Sequence, residues 1–194
     1  MKQLKLQLPD SDITYFSNFL DYENASTYFK LLKSSVPWRQ DEIRVYGKLY
    51  PQPRLTALYG NNNRSYAYSG IVMKSLPFNE TLLDIREKIS KLTPVEFSSC
   101  LLNLYRDGKD SNGWHSDDEE ELGKNPVIAS VSLGQERYFH LRHRKLKELK
   151  HKILLEHGSL LLMSGQTQHN WHHQIPKTTR PIGERINLTF RVIQ

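Results

Sequence analysis

The segment Arg185–Ile193 alternates without a break. Ile186, Leu188, Phe190 and Val192 are apolar, while Arg185, Asn187, Thr189 and Arg191 are polar. A period of two marks a β-strand, because successive side chains leave opposite faces of the backbone. One face must join a core. The other carries four hydrogen-bonding side chains, with a guanidinium at each end of the row. Periodicity leaves two readings of that polar face, a solvated surface or the lining of a site. Either way, the rest of the chain must supply β-partners and a layer to cover the apolar side.

It contains both. "VIASVSL" (127–133) and "SLLLMS" (159–164) are short β-rich runs bounded by Pro126, Gly134, Gly158 and Gly165. From Tyr22 to Lys33, Ala25, Tyr28, Phe29 and Leu32 fall at the spacing of one buried helical face. From Asn79 to Leu92, Leu82, Ile85, Ile89 and Leu92 repeat it, with Asn79 as N-cap and Thr93-Pro94 as the stop. Helices early and strands late predict an α+β fold whose body is a sandwich or barrel. With 194 residues, no internal repeat and no long linker, a single domain is expected. The single cysteine, Cys100, rules out an internal disulfide and favours a reducing compartment. No stretch approaches the ~20 apolar residues of a membrane span, and "MKQLKLQLPDSD" does not read as a signal peptide.

Charge is distributed unevenly. The chain has 27 Lys and Arg against 21 Asp and Glu, a net +6, which suits a polyanionic partner such as nucleic acid. "RHRKLKELKHK" (142–152) holds six cations and one acid, a natural contact for phosphates or simply a charged hairpin skin. Against that background, "WHSDDEEELG" (114–123) gathers five consecutive acids behind a histidine. In a strand, His115 and Asp117 would project to one face. One imidazole and one carboxylate, completed by a second imidazole, form the facial triad of non-haem Fe(II) oxygenases, which leaves coordination positions open. "QHNWHHQIP" offers His169, His172 and His173 for the third position, and strand alternation does not choose among them. Arg185 and Arg191 stand about 20 Å apart along a strand, and their long side chains, leaning inward, could hold a small dicarboxylate between them.

His115-x-Asp117, His173 followed by Gln-Ile-Pro, and "RINLTFR" (185–191) together resemble the AlkB family of Fe(II)/2-oxoglutarate-dependent nucleic-acid dealkylases. "PRLTALYG" (53–60), "LNLYRDG" (102–108), "IASVSLG" (128–134) and "HGSLLLMSG" (157–165) extend the likeness from about Val45 to Ile193. It is nearest the branch with the human homologues acting on double-stranded DNA and on single-stranded DNA and RNA. The resemblance implies a double-stranded β-helix, or jelly-roll, core over about 95–194. N-terminal helices would pack on one sheet, and a nucleotide-recognition lid would span about 45–75.

It also implies roles. His115, Asp117 and His173 would bind Fe(II), the Ile-Pro step selecting His173. Arg185 would pair with the distal carboxylate of 2-oxoglutarate, the co-substrate used with O₂, and Arg191 would orient the co-substrate and Asp117. Asn103, Tyr105, Asn187 and Thr189 would complete that site. Val45, Tyr46, Gly47 and Lys48 match a hairpin that enters the base stack, with Tyr46 as wedge. Tyr66, Tyr68 and Ser69 match the lid over a flipped base. Asp118 and Glu119 would recognise the positive charge of 1-methyladenine or 3-methylcytosine, and residue direction favours Glu119.

The expected reaction is oxidative demethylation of alkylated DNA, with RNA an alternative polymer. The protein would be a monomer with no membrane role, cytoplasmic in a bacterium or nuclear in a eukaryote. The rival readings are an RNA demethylase or protein hydroxylase with the same cofactors, and a non-catalytic nucleic-acid-binding module. Lid aromatics beside acids suit a cationic base, and the complete triad and arginine set argues against the last rival.

Overall fold

The structure, a computed structural model, describes residues 1–45, 48–61, 65–68 and 71–194. The chain begins with the antiparallel pair β1 (Lys2–Lys5) and β2 (Asp12–Ser17), followed by helix α1 (Tyr22–Ser35). Next come the pair β3 (Glu42–Val45) and β4 (Lys48–Pro51), then β5 (Leu55–Gly60). A second pair, β6 (Ser65–Tyr68) and β7 (Ile71–Lys74), precedes helix α2 (Glu80–Ser90). The remainder is almost entirely strand: β8 (Ser99–Tyr105), β9 (Asn112–His115), β10 (Ile128–Gly134), β11 (Arg137–His143) and β12 (Lys150–Leu155). It ends with β13 (Ser159–Ser164), the single-turn α3 (Thr167–Asn170), β14 (Trp171–Ile175) and β15 (Arg185–Arg191).

Both helices start where a side chain can cap them. Asp21 accepts from the Asn24 amide, and Asn79 accepts from the Leu82 amide at 2.9 Å, which satisfies donors the first turn leaves unpaired. The first helix runs to Ser35, two residues beyond the periodic segment, and stops before Pro37. There Ser34 and Ser35 hydroxyls donate to carbonyls of the preceding turn. The second stops at Ser90, short of Leu92. Thr93 precedes a proline and is biased out of the helical region, so the last turn closes early through a Leu92 N–H bond to the Ile89 carbonyl.

A major sheet in the order β1-β2-β13-β10-β15-β8-β5 faces a minor sheet in the order β12-β11-β14-β9, with every pairing antiparallel. One core lies between the major sheet and the helices, where Leu32, Leu82, Ile85 and Ile89 meet Val131, Leu188 and Phe190. A second core lies between the sheets, where Ile128, Leu161 and Met163 meet Phe139, Leu141 and Trp171. This is the jelly-roll body with helices on one sheet.

Strand β15 occupies the centre of the major sheet, zipped to β10 on one side and β8 on the other. Its apolar residues therefore face the helices and its polar residues face the space between the sheets. That overturns the solvated reading of the polar row: Arg185, Asn187, Thr189 and Arg191 are 1%, 8%, 7% and 3% exposed.

Gly158 ties β13 to the start of α1. Its amide donates to the Ser132 carbonyl and its carbonyl accepts from Leu20. With φ at +74° and the Leu20 carbonyl oxygen 2.5 Å from where a Cβ would stand, only glycine fits. Gly158→Ala is expected to lower stability by about 2–4 kcal/mol, read as a fall in urea midpoint with unchanged slope.

Candidate active site

The cross-strand register between β14 and β9 sets His173 opposite His115. Their ring centroids are 4.2 Å apart, and Phe139 stacks on His173 at 5.0 Å. Strand β9 ends at His115, so Asp117 does not share its pleat as the His-x-Asp spacing suggested. It turns inward through the bend that follows, and the buried Gln168 of α3 holds that bend by accepting from the Asp117 amide at 2.9 Å. One ligand-capable atom from each of His115, Asp117 and His173 lies within 4.8 Å of the others, the arrangement of a three-ligand metal site with open positions.

The surroundings set the protonation state. Burial would raise the Asp117 carboxyl, but Arg191 and then the two imidazoles outweigh it and hold it below the usual carboxylate range. Arg191 Nη2 donates to Asp117 Oδ1 at 2.5 Å. Burial pushes His173 down to about 3, with His115 and Arg191 adding to the shift against the pull of Asp117. His115 is lowered too, by burial first, against the pull of Asp117. Both rings are thus neutral, as metal binding requires. His115 Nδ1 donates to the Gly113 carbonyl at 2.8 Å, which leaves the lone pair on Nε2.

At the other end of the β15 row, Arg185 donates from Nη2 to Ser132 Oγ at 2.9 Å. The Tyr105 ring lies 5.2 Å from its guanidinium. Its Nε and Nη1 atoms are buried with no hydrogen-bond partner among the described residues. Burial, with Arg137 adding to it, lowers its pKa to about 10. A buried cation with two idle donors and no carboxylate against it fits an anionic ligand. Between the two arginines, Asn187 donates to Ser130 Oγ and accepts from Thr189. One cavity is lined by Asn103, Tyr105, His115, Asp117, His173, Arg185, Asn187, Thr189 and Arg191. The structure thus brings together every residue expected at the metal and co-substrate site.

The other expected residues fall differently. Glu119 Oε2 is buried without a partner among the described residues, and burial raises its pKa against the pull of Arg191. Asp118 is exposed and pairs with Arg144 at 2.8 Å, away from the cavity. His169 lies in α3 and accepts from the Asn125 amide, while His172 faces the opposite side of the minor sheet from His173. Lys48 is exposed at the start of β4, Val45 ends β3, and Tyr66 and Tyr68 lie in β6. Tyr46, Gly47 and Ser69 lie outside the described residues.

Two buried residues escaped the sequence reading. Gln168 fixes Asp117, as above. Arg54, 5% exposed, donates to Asn103 Oδ1 at 2.7 Å and to the Ser111 carbonyl, and so steadies one wall of the cavity. Arg54 sits in the quoted "PRLTALYG" run, but nothing in that run marks its side chain as buried.

Comparison with known proteins gives the same picture. The family described as the 2OG-Fe(II) oxygenase superfamily matches residues 12–191. The alpha-ketoglutarate-dependent dioxygenase alkB homolog 3 of Bos taurus is 42% identical, over 90% of this chain and 64% of that protein. Its Homo sapiens counterpart is 40% identical, over 94% and 66%. The DNA oxidative demethylase ALKBH2 of Arabidopsis thaliana is 36% identical, over 94% and 67%. The chain thus spans about two thirds of the length of these relatives. The solved structure of OsALKBH1 superposes with a TM-score of 0.61 at 20% identity, covering 96% of this chain and 99% of that one, which supports the fold.

The uncompensated Arg185 charge makes a thermodynamic prediction. In the absence of any dicarboxylate, Arg185→Met is expected to stabilise the protein by at least about 1 kcal/mol, measured by urea unfolding. The same variant should lose the rise in thermal midpoint that 2-oxoglutarate confers on the parent protein.

Proposed function

Because the chain belongs to the 2OG-Fe(II) oxygenase superfamily, and within it to the AlkB family, we propose that it oxidatively removes methyl groups from alkylated bases in DNA. One observation carries this reading: a three-ligand His-Asp-His cluster and an unpaired buried guanidinium line the same cavity. The donor set suits Fe(II), and Arg185 suits the distal carboxylate of 2-oxoglutarate. When bound, the metal with 2-oxoglutarate and O₂ supplies the oxidation of an N-methyl carbon, giving succinate and CO₂, and the hydroxymethyl product collapses to formaldehyde and the restored base.

The chain's own residues bind and orient. His115, Asp117 and His173 would hold the metal, with Asp117 kept ionised and aimed by Arg191. Ser132 fixes the Arg185 fork, Tyr105 packs beside it, and Arg54 holds Asn103 at the wall. Glu119 places a buried, unpartnered carboxylate oxygen two residues from Asp117. A base alkylated at N1 of adenine or N3 of cytosine is cationic, and a carboxylate near the metal favours it over the neutral base. Tyr66, Tyr68 and Ser69 would cover the flipped base, with Val45, Tyr46, Gly47 and Lys48 entering the stack beside it. RNA is the alternative polymer, and the protein is read as acting as a monomer.

Oligonucleotides carrying 1-methyladenine or 3-methylcytosine, incubated with Fe(II), ascorbate and 2-oxoglutarate, are expected to release formaldehyde. Absence of formaldehyde from every such substrate would overturn the proposal. His173→Ala should abolish turnover and the metal-induced rise in thermal midpoint while DNA binding persists. Glu119→Gln should lower kcat/KM for a cationic base by about 10-fold, equivalent to about 1.4 kcal/mol, and leave the KM for 2-oxoglutarate unchanged.

A further inference from the structure

The minor sheet has an outer face that the cavity does not use. Alternation along β11 buries Arg137, Phe139, Leu141 and His143 and turns Tyr138, His140 and Arg142 outward. Register sets Tyr138, His140 and Arg142 opposite Leu154, Lys152 and Lys150 of β12. On the other flank, it sets His140 and Arg142 opposite Gln174 and His172 of β14. The Arg142 guanidinium lies over the Trp114 ring at 4.2 Å, and Lys152 Nζ stands 5.3 Å from the Tyr138 ring.

No outward position of this sheet carries a carboxylate. Acids stand only at its margins, Glu136 and Glu156 at one end and Glu148 in the far turn, with Asp118 already paired to Arg144. A solvated sheet face gains by setting opposite charges across strands, whereas directly opposed like charges cost stability. Arg142 directly opposite Lys150 is such a like-charge pair. Tyr138 is 46% exposed beside these cations. Cations in rows with exposed rings between them match a single nucleic-acid strand, whose phosphates seek the charges and whose bases stack on rings.

We propose that the outer face of the minor sheet, centred on Tyr138, Arg142, Lys150 and Lys152, binds single-stranded nucleic acid as a track adjoining the cavity. The two surfaces meet at β9, where Trp114 faces out and the next residue, His115, faces the cavity. The inference rests on the nucleic-acid reading given above and extends it to the strand flanking the reacting base.

The test uses the full chain and labelled, undamaged oligothymidylate of about 6 and about 20 nucleotides, with binding read by fluorescence anisotropy over a series of salt concentrations. The parent protein should prefer the longer strand. Lys150→Glu with Lys152→Glu should weaken binding to it at least about 10-fold and flatten the log–log salt slope by about 1.4, the loss of two phosphate contacts. Lys150→Gln with Lys152→Gln should give the same direction with a smaller loss in affinity. Tyr138→Ala should weaken binding without changing the slope, and thermal midpoints should stay at the parent value. Unchanged affinity and slope for the longer strand in the folded double variants would overturn the proposal. So would loss of binding to anionic vesicles or polyglutamate while oligothymidylate binding is retained. Because the probe is undamaged, a protein that releases no formaldehyde from damaged strands yet loses oligothymidylate binding in these variants would sink the demethylase reading and support this surface.

Discussion

The interior of this protein is organised around charge that water cannot reach. Two guanidiniums and a carboxylate lie between the sheets, and moving such groups out of water costs several kcal/mol each unless partners replace the solvent. Asp117 and Arg191 replace it for one another. Arg185 has a serine hydroxyl and an aromatic ring but no anion. The interior therefore holds one more cation than it can neutralise. The sheet is built to tolerate this: β15 lies at its centre, so β10 and β8 supply Ser130, Ser132, Asn103 and Tyr105 to the same polar layer. A strand at the sheet edge would have left this row half solvated. The central position turns it into a binding surface.

How much of this could be read from the chain depends on how local the cause is. The β15 alternation specified a strand with one apolar face, and the Asn79 cap specified a helix start, since both follow from neighbouring residues. Whether the polar row met water or a second sheet depends on β9, β11 and β14, far away in sequence, so the pattern left that question open. His-x-Asp named the right pair through the wrong geometry. The strand ends at His115, and Asp117 is delivered by a bend that Gln168 secures from 51 residues away. Arg54 is the same kind of case. An arginine beside a proline reads as surface, and only its bonds to Asn103 and Ser111 account for its burial.

The acidic run shows how adjacent like charges can coexist. Five acids in a row would repel one another if they shared one environment. The fold separates the first three: Asp117 goes inward to Arg191, Asp118 outward to Arg144, and Glu119 lies between them with one oxygen buried and unpartnered. Glu120 and Glu121 stay exposed in a short 3₁₀ turn that Leu122 anchors in the core. Each acid thus meets a different surrounding, and only Glu119 keeps buried acceptor capacity free for a guest.

That remaining capacity bears on the choice of substrate. With a divalent cation at the triad and a dicarboxylate dianion against Arg185, those guests cancel each other's charge and the positive excess of the interior persists. An incoming cationic base would meet that excess and be repelled, at an energy that grows as water is expelled from the cavity. The Glu119 carboxylate offsets it, so the proposed loaded site is close to neutral when the charged base arrives. A neutral base gains nothing from the same carboxylate and must still desolvate it. Discrimination between damaged and undamaged bases would then follow from the charge balance of a closed space, and would need no contact with the methyl group itself.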